Sequence, residues 1–132
     1  MKKGLGLDIG RSNVGLAHGT LNASELTTLK IEPFADFAKK LTEIIKDEEI
    51  EYLVIGVPIS RKKSDSRDFI EKNIAKIKQI VNIPIFEVDE TLSTKRAEEL
   101  LKEEKLSILE IKLRSDQASA KIILQQYLDE NI

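Results

Sequence analysis

The order of strand-like and helix-like segments limits the folds open to this chain more than any other feature. Strand patterns occupy 3–8, 14–19 and 27–31, and two later strands, at 52–58 and 84–89, alternate with amphipathic helical segments. Short turns separate the first three strands, which is typical of an antiparallel meander. Strands that alternate with helices usually pair in parallel. The order therefore predicts an α/β fold, a mixed five-stranded sheet with helices on both faces.

Apolar residues at helical spacing predict the helices. They mark 36–49, a stripe from Ile70 to Val81, the segment 93–104 and a last helix over 116–130. This order of elements is compatible with the ribonuclease H architecture. A chain of 132 residues is the usual size of one domain, so residues 1–132 are expected to form a single ribonuclease H-like domain.

Composition narrows the chemistry. The chain has no Cys and one His, which excludes a thiolate or His-rich zinc site and leaves a hard, oxygen-bound ion as the plausible metal. Its net charge of −2 means that any contact with nucleic acid must come from a local basic patch. No signal-peptide core or spanning segment is evident, so a cytoplasmic location is expected.

Asp8 is a candidate ligand at the end of the first strand. Period-two alternation puts Leu5 and Leu7 on one face of this strand and Asp8 above Gly4 and Gly6 on the other. Small residues around a carboxylate leave space for an ion or a phosphate. The alternative is a hairpin in which Asp8 is an ordinary turn residue.

Glu90 is the second candidate. Alternation places it on the same face as Phe86 and Val88, whereas Glu87 and Asp89 share the other face. A carboxylate at the end of an apolar face is costly unless it is paired or binds a cation. The alternative is a loop residue that precedes the next helix.

Asp116 is the third candidate and is predicted to lie in the first turn of the last helix. It shares a stripe with Ala120, Ile123 and Tyr127, on the apolar side of that helix. The alternative is a cap, because Asp near a helix start often binds the free backbone N–H groups.

A basic loop follows the fourth strand, where Arg61, Lys62 and Lys63 are consecutive. Open α/β folds bind ligands at the carboxyl ends of their strands, so the loop is a candidate for capturing phosphate. The alternative is an ordinary solvated loop. His18 lies on an apolar strand and is expected to be structural rather than a general base.

Taken together, the acids lie on a first strand, at the end of a later strand and in the final helix. Asp8, Glu90 and Asp116 supply only oxygen ligands, which suit Mg²⁺ or Mn²⁺. Two such ions can activate water and stabilise the leaving oxygen of a phosphodiester. The combination predicts metal-dependent hydrolysis of nucleic acid.

The chain resembles the YqgF/RuvX family, the Holliday junction resolvase-like pre-16S rRNA nucleases of bacteria. The resemblance covers nearly the whole chain and rests on four segments: "LDIGRSNVGLAHG", "LVIGVP", "VDETLST" and "SDQASAKIILQQYL". It implies a ribonuclease H-like fold and a nuclease that processes the 5′ end of pre-16S rRNA. By the same resemblance, Asp8, Glu90 and Asp116 match the catalytic, metal-binding acids of the family, with Mg²⁺ or Mn²⁺ as cofactor.

This sequence also departs from the family pattern. Thr91 stands where the family usually has Arg, Asn13 where a basic residue is common, and "ISRKKSD" replaces an Asn- and Gly-containing loop. Arg11 and the cluster of Arg61, Lys62 and Lys63 are expected to bind substrate in their place.

Several alternatives remain open at this point. The expected partner is structured RNA, a ribosomal RNA precursor, and the protein is expected to be a monomer or a homodimer. A resolvase of branched DNA would need the same acids. A catalytically silent nucleic-acid-binding module on this fold is a third possibility. An ATP-binding phosphotransferase is disfavoured, because such proteins close two domains of this kind over a nucleotide.

Overall fold

A computed structural model describes residues 1–58, 65–89 and 108–131. Its strands are β1 (Gly4–Ile9), β2 (Asn13–Gly19), β3 (Ala23–Lys30), β4 (Tyr52–Val57) and β5 (Ile85–Asp89). Its helices are α1 (Phe34–Asp47), α2 (Asp65–Ile80) and α3 (Ile108–Glu130). The strands form one sheet in the order β3-β2-β1-β4-β5.

Pairing in the sheet is mixed, as predicted. The strands β1, β2 and β3 form the antiparallel meander, while β4 pairs in parallel with both β1 and β5. In the parallel part, the carboxyl ends of β1, β4 and β5 lie at the same end of the sheet. In doubly wound folds, ligands bind at this end.

The helices cover both faces of the sheet. Leu5 and Leu7 of β1 are fully buried against apolar residues of α1 and α2, which lie together on one face. On the other face, Val54 and Val88 pack against Ile123 of α3. Because β1 has hydrophobic residues on one face and mostly glycine on the other, α3 approaches the strand closely. A Cβ at Gly6 would lie 2.7 Å from the backbone oxygen of Ala120.

The starts of β3 and α3 lie well before the positions that the sequence predicted. The strand β3 begins at Ala23, before the predicted start at 27, because Ser24 and Glu25 are polar and no apolar alternation links Ala23 to Leu26. The helix α3 begins at Ile108, eight residues before Asp116. The segment before Asp116 has no Gly or Pro and is rich in Leu, Lys and Glu, so the helix starts earlier than the possible cap at Asp116 indicated.

The predicted helix at 93–104 lies outside the described residues. Among the helices in the described ranges, none is long and apolar enough to cross a membrane.

Candidate metal centre

Asp8 lies near the carboxyl end of β1 and shares the face that α3 covers. Gly6, two residues earlier on that face, packs beneath Ala120 and Leu124 of α3. Leu7 is buried in the opposite core. The predicted alternation of β1 is therefore confirmed. Asp8 itself is half-buried.

Gly15 joins Asp8 to the helix. It is the residue opposite Asp8 in the antiparallel pair of β1 and β2. A Cβ at Gly15 would overlap the carbonyl group of Asp116 and would lie 2.8 Å from the backbone nitrogen of Gln117. Directly opposite positions on antiparallel strands have Cβ atoms about 5 Å apart. Asp8 and Asp116 therefore come together at one end of the sheet and on one face.

A hydrogen bond holds the helix in this register. The Gln117 side-chain amide donates from Nε2 to Thr28 Oγ1 over 3.1 Å, and Thr28 is the residue opposite Gly15 on β3. The row Asp8, Gly15 and Thr28 thus crosses three strands, with residues 116 and 117 of α3 resting on it. Sequence reasoning missed Thr28 and Gln117, because no local pattern relates residues that far apart.

The surroundings of Asp116 favour a neighbouring cation. Asp116 is half-buried, and burial raises the pKa of its carboxyl group above the ordinary value of 3.8. Withdrawal from water destabilises a carboxylate unless a positive charge offsets the loss of hydration. The expected position of Asp116 in the first helical turn is wrong, since α3 begins at Ile108. By the ninth residue of a helix the backbone N–H groups are already bonded within it, so Asp116 is not an N-terminal cap.

Four predicted site residues, namely Glu90, Arg61, Lys62 and Lys63, lie outside the described residues. Val88 on β5 packs into the same core as α3. It therefore lies on the face of the sheet that Asp8 shares. Within residues 1–58, 65–89 and 108–131, no group of three or more His, Asp or Glu side chains could hold a metal. Of the three predicted metal ligands, the described residues include Asp8 and Asp116, whose hard oxygen atoms suit a divalent cation such as Mg²⁺.

Arg11 follows Asp8 in the exposed turn between β1 and β2. With Ser12, Asn13, Lys30 and Glu32 it lines an open pocket of about 380 Å³. Asn13 and Lys30 are opposite one another in the pairing of β2 with β3. Lys30 thus brings a second cation to this end of the sheet. Sequence reasoning missed it, since a lysine at the end of a polar strand carries no local signal.

His18 lies on the other face of the sheet. It is opposite Leu5, a residue of the α1 and α2 core, and its Nδ1 atom is 2.9 Å from Glu48 Oε1. This contact ties β2 to the end of α1. His18 therefore has a structural partner and is separated from Asp8 by the sheet.

Sequence comparison supports the same family as the motifs. The family model described as "RuvX: Holliday junction resolvase" matches residues 2–130. A relative from Fusobacterium nucleatum that bears the name pre-16S rRNA nuclease is 36% identical, covering 98% of this chain and 98% of its own. One from Roseiflexus with the same name is 30% identical, covering 95% of this chain and 92% of its own.

Solved structures support the fold. Thermus thermophilus RuvC in complex with a Holliday junction substrate matches with a TM-score of 0.64 and 13% identity, covering 99% of this chain and 97% of that chain. The fowlpox virus Holliday junction resolvase matches with a TM-score of 0.58 and 10% identity, covering 98% and 99%. At such low identity the likeness concerns the fold, which is ribonuclease H-like as predicted. With the family match extending over residues 2–130, the chain belongs to the RuvX family.

Proposed function

We propose that this protein is a metal-dependent nuclease that hydrolyses phosphodiester bonds in the processing of the 5′ end of pre-16S rRNA. Residues 1–132 would act as one nuclease domain in the cytoplasm. The observation that carries the proposal is the placement of Asp8 and Asp116 at one end and on one face of the sheet, joined through Gly15. The name shared by the relatives supports the choice of substrate.

Three acids would hold the metal: Asp8, Glu90 and Asp116. When bound, Mg²⁺ or Mn²⁺ would activate a water molecule and stabilise the leaving oxygen of the phosphodiester. The protein's contribution is to position the carboxylates. Asp8 is held by the β1–β2 ladder and Asp116 by the contact of α3 with Gly15, so neither depends on a loop for its place. Burial of Asp116 favours its pairing with a cation.

Basic residues at the same end would bind the substrate. Arg11 and Lys30 border the pocket beside the β1–β2 turn. Arg61, Lys62 and Lys63, which follow β4 in the sequence, would extend this surface. None of the five is a metal ligand, so their role would be the capture of phosphates and not the chemical step.

The test is a cleavage assay with purified protein, a pre-16S rRNA fragment and Mn²⁺ or Mg²⁺. We expect cleavage that a chelator abolishes and that Asp8→Asn removes, while the variant retains its fold by circular dichroism. No cleavage of the RNA under any metal condition would contradict the proposal.

A four-way DNA junction is the second substrate to include, because the family model carries the description of a Holliday junction resolvase. Junction cleavage without RNA cleavage would favour a resolvase. Binding of both substrates with cleavage of neither would favour a catalytically silent module.

A further inference from the structure

Three aromatic rings gather at the end of the sheet opposite to Asp8. Phe86 and Tyr127 are stacked, with ring centroids 5.1 Å apart and planes 24° from parallel. Tyr52 meets the ring of Tyr127 at 5.3 Å and that of Phe86 at 6.0 Å. Both tyrosines of the chain belong to this cluster. Phe86 nevertheless keeps 40% of its surface exposed, so one part of the stack faces solvent.

The rings border an open pocket of about 240 Å³. Besides these rings and three other apolar residues, its lining includes four polar or charged ones, Lys2, Thr20, Glu51 and Asn131. Lys2 is a cation in this lining and Glu51 an anion. A pocket with aromatic walls, hydrogen-bonding groups and a neighbouring cation has the composition expected of a site for a planar, polar ring that carries a phosphate.

The strand β1 runs between the pocket and the proposed metal centre. A Cβ at Gly4 would meet the ring of Tyr52, and Gly4 and Asp8 share one face of β1. Four residues of strand span about 13 Å. That length corresponds to roughly four nucleotides of stacked strand. Tyr127 lies near the carboxyl end of α3, and the backbone of Asp116 on the same helix contacts Gly15, the residue opposite Asp8.

We propose that this aromatic pocket binds an unpaired nucleobase of the nucleic-acid substrate, stacked on the exposed side of Phe86. The adjacent phosphate would contact Lys2, and the Glu51 carboxylate would accept a hydrogen bond from an exocyclic amino group of the base. The proposal rests on the proposed nuclease function and adds the unpaired base as a recognised feature. Aromatic side chains are the usual platforms for unpaired bases, because every base has a π-face.

A second copy of this chain fits the pocket less well than a base. A stable dimer buries about 800 Å² on each partner, mostly against broad complementary surfaces. Here the exposed large apolar side chains that line the pocket are Met1 and Phe86, beside a small concave surface that also carries polar residues. A pocket of about 240 Å³ is smaller than the roughly 300–1,000 Å³ typical of drug-sized ligands, which suits a single ring system.

The experiment measures binding without cleavage. Asp8→Asn protein is titrated with a single-stranded oligonucleotide that carries 2-aminopurine, whose fluorescence falls when it stacks on an aromatic ring. We expect quenching by the single strand and little quenching when the same strand is fully paired. Phe86→Leu in the Asp8→Asn background should weaken binding by about fivefold to 150-fold, the usual effect of losing one base–aromatic stack.

Phe34→Leu is the matched control, because Phe34 is a half-buried phenylalanine on α1 that lies over Lys76, outside the pocket. It should leave binding and quenching unchanged. Lys2→Gln tests the phosphate contact, and because Lys2 is exposed, the substitution does not disturb the core. It should lower the log–log salt slope of single-strand binding by about 0.7.

Unchanged quenching and affinity in both Phe86→Leu and Lys2→Gln would overturn the proposal. A loss of self-association in Phe86→Leu with no change in quenching would also overturn it, in favour of an interface between copies. The proposed nuclease function is judged separately, since these titrations require no turnover. If the wild-type protein never cleaves while Phe86→Leu removes quenching in the Asp8→Asn background, the stacking site stands and the nuclease function is refuted.

Discussion

Gly15 lies directly beneath the peptide carbonyl of Asp116, with no room for a methyl group between them. Because Gly15 is also the residue opposite Asp8, this contact places the backbone of Asp116 next to the strand position that faces Asp8. The absence of a side chain at Gly15 therefore has a functional consequence, since any Cβ would push α3 away from β2 at the level of the proposed metal ligands.

Gly15→Ala should impair the metal centre more than it impairs folding. Overpacking of this kind typically costs about 1–3 kcal/mol of stability. We expect the metal-induced rise in melting temperature and the metal-dependent cleavage to be lost, because α3 must shift at Asp116. Gly6→Ala is the matched control: its added Cβ meets the same helix at Ala120 and Leu124, two residues along β1 from Asp8. Comparable loss of metal response in both variants would contradict a local role for Gly15.

Asp116→Asn should stabilise the metal-free protein at neutral pH. Burial raises the pKa of Asp116 in the folded state, so ionisation of this group disfavours folding at pH values above its ordinary value of 3.8. The amide carries no charge and avoids this cost. The advantage should shrink as the pH falls towards and below 3.8, where the wild-type carboxyl is protonated in both states.

The same variant should lose most of the stabilisation that Mn²⁺ confers on the wild type, since binding to the folded state stabilises by mass action. Thermal melts with and without Mn²⁺, at several pH values, measure both effects. An Asp116→Asn protein with full activity and the full metal-induced shift would exclude Asp116 from the site.

Glu90→Gln should abolish metal-dependent cleavage, whereas Asp89→Asn should leave most of it. The reason is the alternation of β5, in which Val88 packs on the face shared with Asp8 and Asp89 belongs to the other face. Cleavage assays on the two variants provide the comparison. Loss with Asp89→Asn and retention with Glu90→Gln would mean that the chain leaves β5 in a different register.

Neutralising Arg61, Lys62 and Lys63 together should weaken substrate binding and leave the chemical step intact. Each lost phosphate contact should lower the log–log salt slope by roughly one unit on duplex substrate. Filter binding at several salt concentrations and single-turnover cleavage at saturating protein measure the two effects. Unchanged affinity and an unchanged salt slope would show that Arg61, Lys62 and Lys63 do not contact the substrate.

Local patterns in the sequence determined much of the fold. The alternation of β1 predicted that Asp8 lies on the face opposite to Leu5 and Leu7, and it does. The order of strands and helices predicted the mixed sheet. These predictions succeed because the faces of a strand or helix depend on periods of two and 3.6 residues, which are visible within a short window of sequence.

Only the tertiary structure decided which faces meet. The contact of Gly15 with Asp116, the hydrogen bond from Gln117 to Thr28, and the stack of Phe86 on Tyr127 each join segments far apart in the chain. The predicted start of α3 was wrong as well, because Asp116 has the residue type of a helix cap while the helix already begins at Ile108. Strand register and helix docking arise from packing of the whole core, so the sequence can nominate acids for a site whereas packing brings them together.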